Sequence, residues 1–419
     1  MTSLSIVVIV LSNAITVILM VIVLSVPLYF DISLYSCFDL SKLTILYLLV
    51  FLGSLLWCLK FEKFRIRGIG VAVMGLLGAT ALSTIFSVHP YVSLVGTHKR
   101  YGGLVSLCVY VLLFFMVVRF VNRKRVESFV SVIILSAVVS SVFGLWQAID
   151  AKYGLGFMHW STDFGFEYRV ASTFGHPAFF SAFLIMVIPL VLVRLVERKW
   201  LYIPILCLLL YSLYETKTRA SYIGLFVSVL LFCWLVRGRF VSFSRVCVVF
   251  LVIMGALVFS GSSSILTRFS EEVEGGKLSG TALNRWFQYK TAAKIMADYP
   301  VLGIGCDTLG MVYPRYFKGQ ANINFENQNR IHNVMLEIVV TSGVVGLIAY
   351  IWFAGAWLRM ILKGFLRSPA KGDSHLLLAG LTSGIVAYFV QNQFSFGHIP
   401  IIMLFWVFLG LTVVVCDRG

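Results

Sequence analysis

Three residues in this chain have the types and placements that phosphate and acid–base chemistry require. Arg219 stands in Glu215-Thr216-Lys217-Thr218-Arg219-Ala220-Ser221-Tyr222-Ile223-Gly224, where a polar stretch turns into an apolar helix with almost no loop before it. A helix start offers unpaired N–H groups and the positive end of the dipole, and a guanidinium beside them adds a permanent fork of donors. Phosphate oxygens fit that description. Arg285 falls in a second helical stretch, Thr281 to Asp298, with Thr281 as a candidate cap and Tyr299-Pro300 as its stop. There Arg285 shares a face with Gln288, Tyr289 and Ala292, while Trp286 and Ala293 lie on another. His332, in Arg330-Ile331-His332-Asn333-Val334-Met335-Leu336-Glu337, is expected in the first turn of a further helix. The positive dipole end favours a neutral imidazole, the form a general base needs. Asn333 and Glu337 are four apart, so one could position the other near the histidine.

Each residue has a plainer reading: an arginine that anchors a helix end, an amphipathic helix lying on a membrane, a hydrogen-bonded structural histidine. Their occurrence together favours the chemical reading. Further polar clusters fall on the same side of the chain. Thr97-His98-Lys99-Arg100-Tyr101-Gly102-Gly103 is a basic turn, whose cations could equally snorkel to lipid headgroups. Tyr168-Arg169-Val170-Ala171-Ser172-Thr173-Phe174-Gly175-His176-Pro177 leads into a helix with Pro177 in its first turn. Val301-Leu302-Gly303-Ile304-Gly305-Cys306-Asp307 is a tight glycine turn, followed by Tyr313-Pro314-Arg315-Tyr316.

The elements that must position these residues are membrane spans. The chain is 59% hydrophobic and 12% charged, against about 25% charged in a soluble domain. Apolar runs near the roughly 20 residues a bilayer core requires can be placed at 4–30, 43–59, 69–88, 102–121, 128–149, 177–196, 200–214, 219–236, 243–261, 333–358, 375–395 and 399–416. The expected fold is therefore all-α and polytopic: about twelve transmembrane helices and one large, partly helical periplasmic loop. Residues 1–261 would carry helices one to nine, 262–331 the loop, and 332–419 helices ten to twelve.

Charge sets the expected orientation. With the N-terminus inside, the inner loops collect Lys60, Lys63, Arg65, Arg67, Arg119, Arg123, Lys124, Arg125, Arg194, Arg198, Lys199, Arg237, Arg239, Arg245, Arg359, Lys363, Arg367, Lys371 and Arg418. Lys and Arg concentrate in short cytoplasmic loops, so the formal charge of +16 is mostly an orientation signal. No nucleic-acid partner is implied. Both termini are expected in the cytoplasm and the polar clusters outside. The first span, beginning Met1-Thr2-Ser3 without basic residues, reads as a retained helix. The eight cysteines are scattered without Cys-x-x-Cys or metal-ligand spacing; Cys37 and Cys306 fall outside and are expected free. No metal or cofactor is implied, and no repeat or low-complexity linker is visible.

These residues resemble the O-antigen ligase and Wzy-type polymerase superfamily of bacterial envelope glycan enzymes. The matching pieces are Thr218-Arg219-Ala220-Ser221, Asn284-Arg285-Trp286, Tyr299-Pro300-Val301-Leu302-Gly303-Ile304-Gly305, Tyr313-Pro314-Arg315-Tyr316, and His332-Asn333 with Leu336, Glu337 and Gly343. Leu94-Val95-Gly96 with Arg100-Tyr101-Gly102-Gly103, and Phe174-Gly175-His176-Pro177, are similar in kind. Each piece is short; order and spacing carry the likeness over nearly the whole chain. The resemblance implies metal-independent, inverting transfer of a glycan from an undecaprenyl diphosphate carrier to an acceptor hydroxyl at the periplasmic face of the cytoplasmic membrane. It gives Arg219 and Arg285 the diphosphate and His332 the acceptor's proton. Arg169 and Arg100 become candidates for carrier or sugar binding, then Tyr313 and Arg315, with Asn333 and Glu337 beside the base. The acceptor ranks as a glycolipid (lipid A core) first, then a growing polysaccharide, then a protein.

Two other readings stand. A twelve-helix transporter or lipid flippase would place ionisable residues near the bilayer midplane, where each costs roughly 2.5–3.5 kcal/mol; here polar groups gather at the span ends. A metal-dependent glycosyltransferase would use Asp31 and Asp39, which otherwise sit at a solvated helix end.

Overall fold

The computed structural model describes residues 3–34, 36–60, 64–98, 100–156, 169–197, 199–237, 273–274, 277–278, 280–317, 330–369 and 372–416. The described chain is helical apart from a two-residue antiparallel pair, β1 (Val273–Glu274) and β2 (Lys277–Leu278). In chain order the helices are α1 (Ser3–Leu28), α2 (Asp39–Cys58), α3 (Ile69–Ile85), the short α4 (Pro90–Val95), α5 (Leu104–Phe120), α6 (Arg123–Tyr153), α7 (Pro177–Val196), α8 (Tyr202–Glu215) and α9 (Arg219–Val236). After β2 come α10 (Gly280–Asp298), α11 (Leu309–Tyr316), α12 (Val334–Arg367), α13 (Asp373–Gln391) and α14 (Ile399–Cys416).

Among the described residues eight helices are long and apolar enough to cross a membrane: most of α1, then α2, α6, α7, α9, α12, α13 and α14. Three more apolar helices, α3, α5 and α8, are shorter. The expected span at 243–261 lies outside the described residues, so the count of twelve stands as an expectation. Helices α7 and α14 are buried on nearly every side, as helices apolar all round must be. They are the centre of the bundle. Around them α1, α2, α3, α6, α9 and α12 turn apolar side chains outward, among them Val10, Phe51, Ile85, Val142, Phe226 and Ile348. The protein is an integral membrane protein.

Local signals set the helix ends that matter for the site. Pro177 opens α7, where its missing N–H costs nothing, and the His176 Nδ1 accepts from Ala178 N at 3.0 Å as the cap. Asn333 caps α12, its Oδ1 accepting from Leu336 N at 3.1 Å. At the end of α1, where Pro27 interrupts the helix, the Lys42 Nζ donates to the carbonyls of Val26, Pro27 and Tyr29 at 3.2, 3.0 and 2.7 Å. The wholly buried lysine thereby answers the carbonyls that a helix C-terminus leaves over.

One helix is broken and repaired. At Gly343, α12 turns to φ 61°, ψ −161°, a backbone region open essentially only to glycine. The break removes the ordinary bonds from Val344 N to Val340 O and from Val345 N to Thr341 O. The segment Pro300–Gly305 lies along the gap and supplies the missing partners. Ile304 N and Gly305 N donate to Val340 O and Thr341 O, each at 2.9 Å, while Val344 N and Val345 N donate to Pro300 O and Val301 O at 2.9 and 3.2 Å. The Ser83 and Ser87 hydroxyls, from the end of α3 and just beyond, bond Thr341 O and Ile304 O at 2.6 and 2.8 Å. The tight glycine turn of the sequence is thus a splint for a broken helix. Gly343→Ala would set a methyl group 2.2 Å from Val301 O. A loss of about 1–3 kcal/mol in stability is expected, read as a lower thermal unfolding midpoint in detergent; an unchanged midpoint contradicts this account of the break.

Candidate active site

The ends of α1, α8 and α13 and the starts of α2, α7, α9, α12 and α14 meet at one end of the bundle, where α10 and α11 lie. His332 stands there one residue ahead of the cap Asn333, at φ 55°. The expectation of a first-turn histidine is corrected by one position: Asn333 takes the cap because its carboxamide can accept from Leu336 N, and the left-handed turn at His332 lies outside the helix. The His332 Nδ1 meets Gln288 Oε1 at 3.2 Å, and the ring lies edge-on to Phe396, 5.1 Å between centroids. With a carbonyl oxygen on Nδ1, a neutral ring carries its hydrogen there and presents the Nε2 lone pair. Burial, then the Arg285 guanidinium, pushes the imidazole below its ordinary value of 6.5; Glu337 and a hydrogen bond to the Arg330 backbone oppose, and Arg100 adds to the lowering.

The face predicted for α10 is the one observed. Gln288, Thr291, Ala292 and Ile295 are buried, and Arg285, one turn before Gln288, reaches the same neighbourhood. Its Nη2 donates to Phe394 O at 2.8 Å. The helix begins at Gly280, one residue before the Thr281 expected as a cap.

Arg219 is the first residue of α9, after Thr218. The Thr218 hydroxyl accepts from Arg169 Nη2 at 3.1 Å, and Arg169 Nε donates to Thr216 O at 3.0 Å, so Arg169 is docked on the turn that carries Arg219. Helix α9 packs on α13 through Gly224, where an added Cβ would lie 3.1 Å from Ala387 O and 3.5 Å from Gln391 Cβ. Just past α13, Asn392 O accepts from Val334 N at 3.1 Å and Gln393 O from Asn333 Nδ2 at 3.4 Å. The three leading candidates therefore share one end of the bundle: Arg285 acts on His332 directly, and Arg219 is joined to it through α13.

Arg100 is half-buried, its guanidinium 4.4 Å from the centroid of Phe396 and 6.0 Å from that of Phe179. It is among the charges that push His176 down to about 3, after burial and Arg169. Two candidates are drawn elsewhere. Tyr313 is buried against Phe317, ring centroids 5.6 Å apart, in a small core with Ala292, Ile295, Ile304 and Leu309. Leu309, Val312 and Tyr313 form the inward stripe of α11, which makes this tyrosine packing. Arg315, two residues on, is exposed on another face of that helix. Glu337 does not reach the imidazole through Asn333; its carboxylate takes Arg330 Nη1 and, at 3.4 Å, Ile331 N.

Several participants were not legible in the sequence. Arg330 was read only as part of its segment, and Gln288 only as sharing a face. His398 bonds Asp39 and stacks on Phe179 at 4.2 Å, a pairing across 359 residues that no spacing announces. That bond also occupies Asp39, while Asp31 holds Ser33 N and Oγ at 2.9 and 2.6 Å. Among the described residues no three His, Cys, Asp or Glu side chains gather as a metal site, and Cys37 and Cys306 are free. Among the described residues the non-glycine ones with positive φ are Tyr101, Ser172, Lys217, Asp307 and His332. Ser172 opens a short 3-10 turn and the others lie in connections, all at this end, as strain held at functional sites does.

Residues 204–351 match the protein-family model described as O-antigen ligase. This stretch is similar to that family, and the match supports the likeness to the O-antigen ligase and Wzy-type polymerase superfamily. Arg219, Arg285, Gln288, Arg330, His332 and Glu337 fall inside the matched stretch; Arg100, Arg169, His176 and His398 lie outside it. No curated protein matches the chain.

The contact of Gln288 with His332 gives a test of this site. Gln288→Glu would put a carboxylate against Nδ1 and raise the pH at which His332 titrates. The pH dependence of its chemical modification, mapped by peptide, should move upward; an unmoved titration contradicts the contact.

Proposed function

We propose that this protein transfers a glycan from undecaprenyl diphosphate to an acceptor hydroxyl on the periplasmic side of the bacterial cytoplasmic membrane. The reaction is inverting and uses no metal, and the chain acts as an O-antigen ligase. The observation that carries this reading is an imidazole beside a guanidinium: His332, met at Nδ1 by Gln288, with burial and then Arg285 lowering its basicity.

The chemistry follows from the charges. The acceptor oxygen attacks the anomeric carbon, and the bond from that carbon to the diphosphate oxygen breaks. Its electron pair leaves with the carrier as undecaprenyl diphosphate. Negative charge grows on the leaving oxygens in the transition state, and Arg219 and Arg285 stabilise it with donors already fixed in place. The acceptor proton passes to His332 Nε2. Arg169 steadies the turn bearing Arg219, and Arg100 adds positive charge beside the base. The concentration of basic residues in the loops at the opposite end supports a periplasmic site. Lipid A core ranks first as acceptor, another polysaccharide repeat second and a protein hydroxyl third.

Reconstitution with a labelled undecaprenyl-diphosphate-linked glycan and these three acceptors in parallel tests the reading. Transfer to the glycolipid alone is expected; transfer to a polysaccharide or protein alone replaces the ligase assignment, and passage of the glycan across the vesicle without covalent change replaces the enzyme assignment. Arg219→Ala and Arg285→Ala should each cost about 100-fold or more in turnover, and wild-type turnover in either contradicts its role. The base must be deprotonated, and its value is lowered. Transfer should therefore hold its plateau as pH falls past 6.5 and fade only below it; a loss centred above 6.5 contradicts His332 as the base.

A further inference from the structure

Arg330 lies two residues before His332 and has no part in the chemistry above. Its Nη1 donates to Glu337 Oε1 and its Nη2 to Asp307 Oδ1 at 3.2 Å. The three side chains are 17%, 14% and 1% exposed. The other oxygen of Asp307 accepts from Thr97 N, Thr97 Oγ1 and Gly102 N at 2.7, 2.9 and 3.2 Å, and Glu337 Oε2 accepts from Ile331 N at 3.4 Å. One guanidinium thus ties together the turn that bears Arg100, the end of the splint at Asp307, the turn that bears His332, and the first turn of α12. Gly102 leaves room for it: a Cβ there would lie 2.6 Å from Arg330 Nη2.

We propose that Arg330 is a positioning residue for glycan transfer, clamping Asp307 and Glu337 so that Arg100 and His332 are held in one geometry and the Glu337 carboxylate is matched by a fixed positive charge. The proposal rests on the reading of His332 as the base. Arginine suits the task because its planar fork meets two carboxylates on separate segments, which the point charge of lysine cannot do equally well. The charged and titratable groups that face His332 are Arg285 from α10, Glu337 from α12, Arg100 from the connection between α4 and α5, and His176 at the start of α7. Of these only Glu337 favours the imidazolium. Arg330 neutralises it. Without Arg330, the carboxylates of Asp307 and Glu337 would lose their counter-charge, and His332 would take up a proton at higher pH. A base is lost as pH falls through its titration, so that loss would then begin nearer neutrality.

The test uses the full chain in proteoliposomes with a labelled undecaprenyl-diphosphate-linked glycan, assayed from about pH 5 to about pH 9. Arg330→Met should reduce turnover about 10- to 100-fold and shift the acid limb of the profile upward. Arg330→Met with Glu337→Gln should return the acid limb toward its original position while turnover stays low. Arg330→Lys, which keeps the charge and guards against misfolding, should lose turnover with little movement of the limb. Wild-type turnover in Arg330→Lys or Arg330→Met, or a slowed Arg330→Met enzyme with an unmoved limb, overturns the proposal. His332→Ala separates the two ideas. If it is inactive while Arg330→Met behaves as wild type, the clamp alone fails; if it retains transfer, the base assignment fails and the clamp with it.

Discussion

A helix in apolar surroundings cannot leave backbone groups without partners, because no water replaces the lost hydrogen bonds. Helix α12 breaks this requirement at Gly343, and Pro300–Gly305 restores it by exchanging two lost helical bonds for four across the gap. The rest of the site depends on that exchange. The splint leads into Asp307, whose carboxylate holds the turn beside Arg100, and the broken helix begins at the cap that follows His332. Gly303 and Gly343 allow the approach, since a Cβ at either would strike the opposite backbone at 2.4 or 2.2 Å. His332 and the turn beside Arg100 are therefore referenced to one backbone join.

The electrostatics have a division of labour. At the far end of the bundle Arg194 pairs with Glu127 and Glu197, the structural use of a buried arginine. At the site end, compensation is uneven. Arg330 is matched by two carboxylates, while burial depresses both His332 and His176, with Arg285 and Arg100 adding to the lowering at the first and Arg169 and Arg100 at the second. The result is positive charge with neutral rings inside it, an environment suited to a departing diphosphate and to a base that is ready at neutral pH.

Much of the fold was legible because apolar runs of fixed length are a one-dimensional signal. The expected spans at 177–196 and 219–236 match α7 and α9 residue for residue, and 399–416 matches α14. Arg219 at a helix start and Arg285 with Gln288 on one face followed from local periodicity. What failed depended on the third dimension. Tyr313 carries the same polar tip wherever it sits, and only the packing of α11 makes it core. The glycines after Pro300 read as a turn because their partner, α12, begins more than thirty residues later. Arg330 with Asp307, and Asp39 with His398, join segments whose separations have no meaning until the bundle forms.

The central claim is that the cations hold the donor and His332 acts only on the proton. Donor binding and single-turnover transfer measured side by side on His332→Ala test it most directly. The account predicts a dissociation constant for the undecaprenyl-diphosphate-linked glycan close to that of the unaltered protein, with transfer slowed about 100-fold or more. Transfer at the unaltered rate, or a loss of activity explained wholly by failure to bind the donor, would contradict it.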